Sequence, residues 1–314
     1  MRIGLVVDSA CDLPLDYIQH NTIILLPITV TIGEAVLADH RNEQATLQFL
    51  EAHVAERGAG AETQPYTVQQ VQDLFLKRLV IDYDYVFCMT ITKTRSPIFD
   101  NTQQASFAIL NDYKGPRSEA GITTPFALRV IDTQNMFAGQ GVAAVEAVRL
   151  RDAGEGTPKI RARLEYLALN THGYMIPRDL YYMRARTRAR GDRSVGLLSA
   201  MIGSALDIKP LVHCYRGDTA PVARIKGFDQ AAEKLFDFAI RRIRAGLMTP
   251  TLCLSYGGEL SEMRALPGYE RLHNAASDAH VEVYESLMSL TGMVNVGKGA
   301  LAMGFAAESA PFDM

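Results

Sequence analysis

The chain has 314 residues, 48% of them apolar, with 32 Lys and Arg against 35 Asp and Glu and a formal net charge of −3. That length leaves room for two domains with a substantial core, and the composition excludes a disordered chain. The near-neutral charge excludes a basic nucleic-acid binder, and no apolar run reaches the length of a membrane span.

Met1-Arg2 leads straight into the first predicted strand, Arg2–Val7, with no leader segment or cleavage site. Asp8-Ser9-Ala10-Cys11-Asp12 follows it. Ile23–Val30 reads as a second strand, and Pro27 within it favours an edge position. Glu62-Thr63-Gln64-Pro65 then precedes a helix. Thr67 with Gln70 forms a capping-box pattern, and Val68, Val71, Phe75 and Leu79 share one face of that helix. A third strand, Tyr85–Ile91, runs into Thr92-Lys93-Thr94-Arg95-Ser96-Pro97. Phe126–Ile131 is a strand ending in Asp132-Thr133. A helix follows over about Gly139–Arg151, with Val142, Val145 and Val148 apolar. This βαβ alternation implies a parallel sheet with helices on both faces.

Around Asp152-Ala153-Gly154-Glu155-Gly156 the chain turns polar and glycine-rich, which marks a boundary between domains 1–156 and 157–314. Thr157-Pro158 opens the next helix, with Thr157 as N-cap and Ile160, Leu164 and Leu167 buried. Gly196–Leu206 reads as a helix, Ile208–Val212 as a strand and Arg216-Gly217-Asp218 as a hairpin turn. Asp229 caps an amphipathic helix with Ala232, Leu235, Phe236, Ala239 and Ile243 inward. Strands are expected at Thr251–Tyr256, Val281–Ser286 and Ala300–Phe305. The expected architecture is therefore two α/β domains, the first built on a mostly parallel sheet, with a ligand cleft between them.

The four cysteines, Cys11, Cys88, Cys214 and Cys253, form no Cys-x-x-Cys pair. Neither a zinc site nor a disulfide framework is indicated, and a reducing, cytoplasmic setting fits. Cys88 and Cys253 read as small buried hydrophobes. The seven histidines show no metal spacing. No cofactor is implied.

The chemistry is concentrated in three hydroxyl-bearing loops. Ligands bind at the carboxyl ends of strands in open parallel sheets. Small hydroxyls collected there suit an oxyanion better than a metal. Each loop also has a plain reading: Asp8 and Ser9 as helix caps, Thr63-Gln64-Pro65 as a turn, Thr92 to Ser96 as a polar loop. Lys93 or Arg95 would add charge, and charge-assisted hydrogen bonds are about twice as strong as neutral ones.

Taken in order, these residues resemble the DegV family. Val6-Val7-Asp8-Ser9-Ala10-Cys11-Asp12-Leu13-Pro14, Thr63-Gln64-Pro65, Thr92 and Ser96 carry the resemblance first. Val130-Ile131-Asp132-Thr133 with Gly139 and Gly141, Leu206-Asp207-Ile208-Lys209-Pro210, Arg224-Ile225-Lys226-Gly227 and Gly297-Lys298-Gly299-Ala300-Leu301 continue it. Each motif is short, and their collinearity over nearly the whole chain is what counts. The resemblance implies a long-chain fatty acid held between two α/β domains and, in some members, presented to a separate fatty acid kinase. Burial of a 16-carbon tail would supply about 12 kcal/mol at about 0.8 kcal/mol per CH₂, before ordering costs. A few hydroxyls then need only fix the head group.

The chain departs from the family pattern at four places. Thr92-Lys93 stands for a Ser-Ser pair, Pro97 for a glycine, Glu62-Thr63 for Thr-Ser, and Asn295 for a histidine near the last glycine turn. If that histidine assists phosphoryl transfer, lipid binding carries over better than service to a kinase. Glu62 would repel a carboxylate unless protonated or turned away.

The expected ligand contacts are Thr63, Thr92 and Ser96, with Lys93, Asn295, Ser9 and Arg193 as further candidates. Arg193 belongs to a run with Arg184, Arg186, Arg188 and Arg190 that suits a phosphate, an acidic partner, a transient contact with an anionic membrane surface, or plain solvent. Gly292 to Lys298 has the spacing of a phosphate loop but lacks the following Ser or Thr. Ser255-Tyr256-Gly257-Gly258 lacks the nucleophile turn of a hydrolase. The rival reading is a self-sufficient acyl or phosphoryl transferase acting on a small carboxylate, with Asp8 or Glu62 as base. An interaction module built on the arginines is a third.

Overall fold

The computed structural model describes residues 1–32, 34–53, 61–180 and 207–313. The first predicted strand forms as β1 (Ile3–Asp8). The apolar run expected as one strand over Ile23–Val30 is instead divided at Pro27. Proline has no N–H for a ladder, and the chain uses it to change sheets. β2 (Ile24–Leu26) forms the edge of a parallel sheet. β3 (Ile28–Ile32) becomes the centre of a separate antiparallel sheet with β4 (Ala35–Asp39) and β5 (Ala61–Gln64), which the sequence did not signal. With β6 (Tyr85–Thr90) and β7 (Ala127–Asp132), the parallel sheet has the order β2-β1-β6-β7.

The helices of this half are α1 (Leu15–His20), α2 (Glu43–His53), α3 (Val68–Leu74), α4 (Val80–Asp82), α5 (Ile98–Asp112), α6 (Lys114–Glu119), α7 (Ala138–Asp152) and α8 (Thr157–Asn170). The capping box before α3 is present in both directions. Gln70 N donates to Thr67 Oγ1 (3.3 Å) and Thr67 N donates to Gln70 Oε1 (2.9 Å). A π-helical turn, Phe75–Leu79, links α3 to α4 and keeps Phe75 and Leu79 buried. α8 begins after Gly156, which takes the N-cap position expected of Thr157. Ile160, Leu164 and Leu167 on α8 join the hydrophobic cluster that contains β1 and β6.

The second half holds β8 (Thr171–Ile176), β9 (Ile208–Tyr215), β10 (Asp218–Lys226), α9 (Phe228–Ala245), β11 (Thr251–Tyr256), α10 (Leu260–Arg264), α11 (Tyr269–Asp278), β12 (Glu282–Leu287), α12 (Leu290–Val296) and β13 (Leu301–Ala306). The strands order as β10-β9-β8-β13-β11-β12, antiparallel except for β11 with β12. β8 was not foreseen. Its sequence, Thr-His-Gly-Tyr-Met-Ile, does not alternate, because all six positions are buried. α9 starts after Gly227, not at an Asp229 cap. Most of the Gly292–Lys298 segment, as far as Val296, lies inside α12, which is capped by Ser289, whose Oγ accepts from Gly292 N (3.0 Å).

α7 joins the two large sheets. It touches β1 and β6 on one side and β8, β11 and β13 on the other. Nearly every residue from Ala138 to Leu150 is buried, as expected of a helix covered all round. Its glycines let the strand backbone approach closely, and a Cβ on Gly304 of β13 would lie 2.4 Å from Gly139 Cα. Glu146, its one buried carboxylate, is held by Arg149 (2.8 Å), Arg163 (2.7 Å) and Thr249 (3.0 Å). Burial works to raise that carboxyl, but these three partners outweigh it and hold it at about 2.

All four cysteines are buried and unpaired. Among the described residues no helix is long and apolar enough to cross a membrane, and no cluster of His, Cys, Asp and Glu is placed to hold a metal ion. The expected helix at Gly196–Leu206 and the arginines from Arg184 to Arg193 lie outside the described residues.

Candidate functional site

Thr92, Lys93 and Ser96 occupy one turn after β6. The Thr92 carbonyl accepts from Arg95 N (3.0 Å) and Ser96 N (3.3 Å), which closes the turn. Thr92 is fully buried, its hydroxyl 3.2 Å from that of Thr94. Ser96 is half-buried, and its Oγ accepts from Ile98 N (3.3 Å) at the start of α5. Lys93 is exposed, with Nζ 5.9 Å from the centroid of the Phe99 ring. The turn docks on the β9–β10 hairpin. Thr94 Oγ1 donates to Gly217 O (2.6 Å), and Arg95 Nε donates to Thr219 Oγ1 (2.9 Å).

Thr63 sits on the edge strand of the small antiparallel sheet. It is half-buried on β5, and Asn101 Nδ2 of α5 donates to the nearby Tyr66 carbonyl (2.8 Å). Thr63 also pairs across the small sheet with Val30, which packs on Leu290 and Val294 of α12. Asn295 follows Val294, and its amide donates to Thr291 O (2.6 Å). Glu62 is exposed on β5. A separate cleft of about 1110 Å³ between α1, α7 and β12 is lined by Tyr17, Val145, Glu282 and Tyr284 among others, and by none of these residues.

Ser9 stands apart from the group. It is fully buried, and its Oγ accepts from Ile28 N (2.8 Å), which fixes the corner where the chain leaves β2 for β3. Asp8, proposed as a base in the rival reading, is also committed. Its oxygens accept from Ala10 N (3.0 Å), Ile91 N (2.6 Å) and Gln140 Nε2 (3.3 Å). Burial pushes the Asp8 carboxyl up to about 6, and those hydrogen bonds offset only part of it.

This gives a pH dependence of known sign. The folded chain binds the Asp8 proton more tightly than the unfolded chain does. Its contribution to stability is complete below about pH 4 and is lost as pH rises through about 6. A gap of roughly two pH units is worth about 3 kcal/mol. The unfolding free energy of the native chain minus that of Asp8→Asn will therefore fall by about 2 kcal/mol between pH 4 and 6.5, most of that total, then stay nearly level. Urea titrations across this range measure it, and a difference that does not move with pH would refute it.

Two groups that sequence reasoning passed over hold this region together. Arg41, after β4, is buried with φ 61°. Its guanidinium meets the Asp12 carboxylate (2.9 Å), Leu13 O (3.1 Å) and Leu287 O (2.8 Å). Asp12 also accepts from Ser255 Oγ (2.7 Å) and Ser289 N (2.9 Å), while Asp39 accepts from Thr291 N and Oγ1 (both 2.8 Å). Asn135, after β7, is the other. Its fully buried amide donates to Thr171 O (2.9 Å) and Cys214 O (3.3 Å). Asp12 stood inside the Val6–Pro14 motif. Arg41 and Asn135 carried no signal, because their partners lie far off in sequence.

The DegV model, described as uncharacterised protein, DegV family, matches residues 2–308. The chain belongs to the DegV family. A DegV domain-containing protein of Xanthomonas campestris pv. campestris is 69% identical over 312 residues, 99% of each chain. Among solved structures, a DegV family protein from Thermus thermophilus, described as binding fatty acid, has a TM-score of 0.76 at 21% identity, covering 98% of this chain and 100% of its own. A stearic acid-binding protein from Eubacterium ventriosum has a TM-score of 0.77 at 17% identity, covering 98% of each chain. At these identities the two structures establish the DegV fold. The motifs that carried the resemblance thus lie in a chain with the whole DegV architecture.

Proposed function

We propose that this DegV protein binds a long-chain fatty acid. Its carboxylate is met by Thr63, Thr92 and Ser96, with Lys93 and Asn295 at the rim, and its tail is buried in apolar protein between units 1–156 and 157–314. Ser9 serves the β2–β3 corner and is not part of this set. The observation that carries the reading is likeness over 98% of the chain to proteins described as binding fatty acid and stearic acid. The hydroxyl turn supports it, since Thr92 and Ser96 share one turn and the segment after Thr63 is bonded to the helix that begins beside it. The same geometry removes Asp8 as the base of the transferase rival, because it is spent on three N–H donors.

We place the protein in the cytoplasm as a fatty-acid carrier. Presentation to a fatty acid kinase rests on the family resemblance, and Asn295 stands where a histidine would assist. A role for Arg193 and its neighbours at an anionic membrane surface rests on sequence alone.

Mass spectrometry of lipid extracted from the denatured pure protein, beside an unrelated control, will find one equivalent of a fatty acid. Joint Thr92→Val and Ser96→Ala substitution will weaken fatty-acid binding about 10- to 100-fold, as expected for losing hydrogen bonds to a charged group. If no lipid is extracted and none is taken up on incubation, the reading fails.

A further inference from the structure

The corner between β7 and α7 is strained and tightly enclosed. Gln134 and Phe137 both have positive φ, 51° and 53°. Neither is glycine, and such conformations cost about 1–3 kcal/mol each unless the surroundings impose them. The surroundings here centre on Asn135 between them. Its Oδ1 lies where neither Gly139 of α7 nor Gly173 of β8 could carry a side chain. A Cβ on those glycines would stand 1.9 Å and 2.2 Å from that atom. Its Nδ2 bonds carbonyls at the start of β8 and near the end of β9. Oδ1 accepts from Met136 N (3.1 Å), which fixes the amide's own orientation.

The backbone of the same corner reaches the hydroxyl turn. Thr92 N donates to Asn135 O (2.9 Å), and Gly217 N donates to Gln134 O (2.9 Å). Thr133 Oγ1 donates to Thr90 O (2.7 Å) at the end of β6. Thr94 closes the ring through Gly217 O. The turn carrying Thr92 and Ser96 is therefore pinned from the second sheet, by way of the Asn135 amide and the β9–β10 hairpin.

We infer that Asn135 is a positioning residue for carboxylate recognition: by holding the 134–137 corner against β8 and β9, it fixes the Thr92–Ser96 turn in the geometry that meets an acid head group. The inference rests on the fatty-acid reading above. Without the amide, Gln134 and Phe137 relax toward ordinary backbone. The Asn135 carbonyl then moves, and the turn follows it. A hydrogen-bonding site misplaced by a fraction of an ångström loses its charged partner, while a buried apolar tail is little affected.

The test compares a fatty acid with its methyl ester, which keeps the tail and removes the charge. The native chain will bind the acid at least tenfold more tightly than the ester. Asn135→Ala will cut that ratio to about a third or less, with ester affinity changed less than about twofold. Thr94→Val, at an exposed position, cuts the second pin and will reduce the ratio in the same direction. Asn135→Ser, which is smaller but can still donate one hydrogen bond, decides the matter should Asn135→Ala not fold. A purely structural role would weaken acid and ester equally. Full discrimination in the folded variants overturns the positioning role alone. A native chain that binds neither compound, or does not distinguish them, overturns the head-group reading itself.

Discussion

Arg41→Met will lower the free energy of unfolding by about 3–5 kcal/mol, the cost of breaking a buried ion pair by removing one partner. Methionine replaces much of the aliphatic stem, so the loss is chiefly electrostatic. Asp12 remains fully buried, with Ser255 Oγ and Ser289 N still donating to it. The carbonyls of Leu13 and Leu287 lose the same donor. Burial already pushes the Asp12 carboxyl upward, with Arg41 opposing it. Without the guanidinium, Asp12 will either hold an uncompensated charge or take up a proton. Adding Asp12→Asn to the Arg41→Met chain will therefore recover part of the loss. Urea denaturation of the two variants measures both effects, and a loss below about 1 kcal/mol would mean that the pair does not brace the fold. Stabilities of whole domains run to about 5–15 kcal/mol, so this one contact decides much of the margin.

Gly304→Ala comes next in expected size. β13 lies in the middle of the six-stranded sheet, and α7 rests directly on it. The new methyl group would meet backbone atoms of Ala138 and Gly139 at 2.4–2.6 Å. No rotamer change relieves a clash with backbone, so helix and sheet must separate. Overpacking typically costs about 1–3 kcal/mol, and this rigid contact belongs at the top of that range. Gly115→Ala is the control, with nothing within 4 Å of the new Cβ. It lies in α6 and should gain up to about 1 kcal/mol from helix propensity. Equal thermal midpoints for the two variants would refute the close packing of α7 on β13.

Much of the fold was legible in the sequence where the signal is local. The capping box at Thr67, the parallel strands β1, β6 and β7, the hairpin at Gly217 and the inward face of α9 follow from neighbours a few residues apart. The hydroxyl turn from Thr92 to Ser96 was legible for the same reason. The collinear motifs pointed to the family, because they preserve order along the chain and not contact in space.

What failed was long in range. β8 was missed because a strand buried on both faces loses its alternation. β2 and β3 read as one strand, since only tertiary packing shows that Pro27 moves the chain to another sheet. Ser9 looked free to meet a ligand until the structure gave its oxygen to Ile28. Asn135 sits between glycines 139 and 173, and Arg41 bonds a carbonyl 246 residues away. The sequence by itself thus determined the locally signalled elements, the family resemblance and the hydroxyl turn, because periodicity, capping and turn chemistry act between near neighbours. Only the tertiary structure decided which buried polar groups are spent on the fold, because a buried donor or acceptor must find its partner wherever the chain brings one.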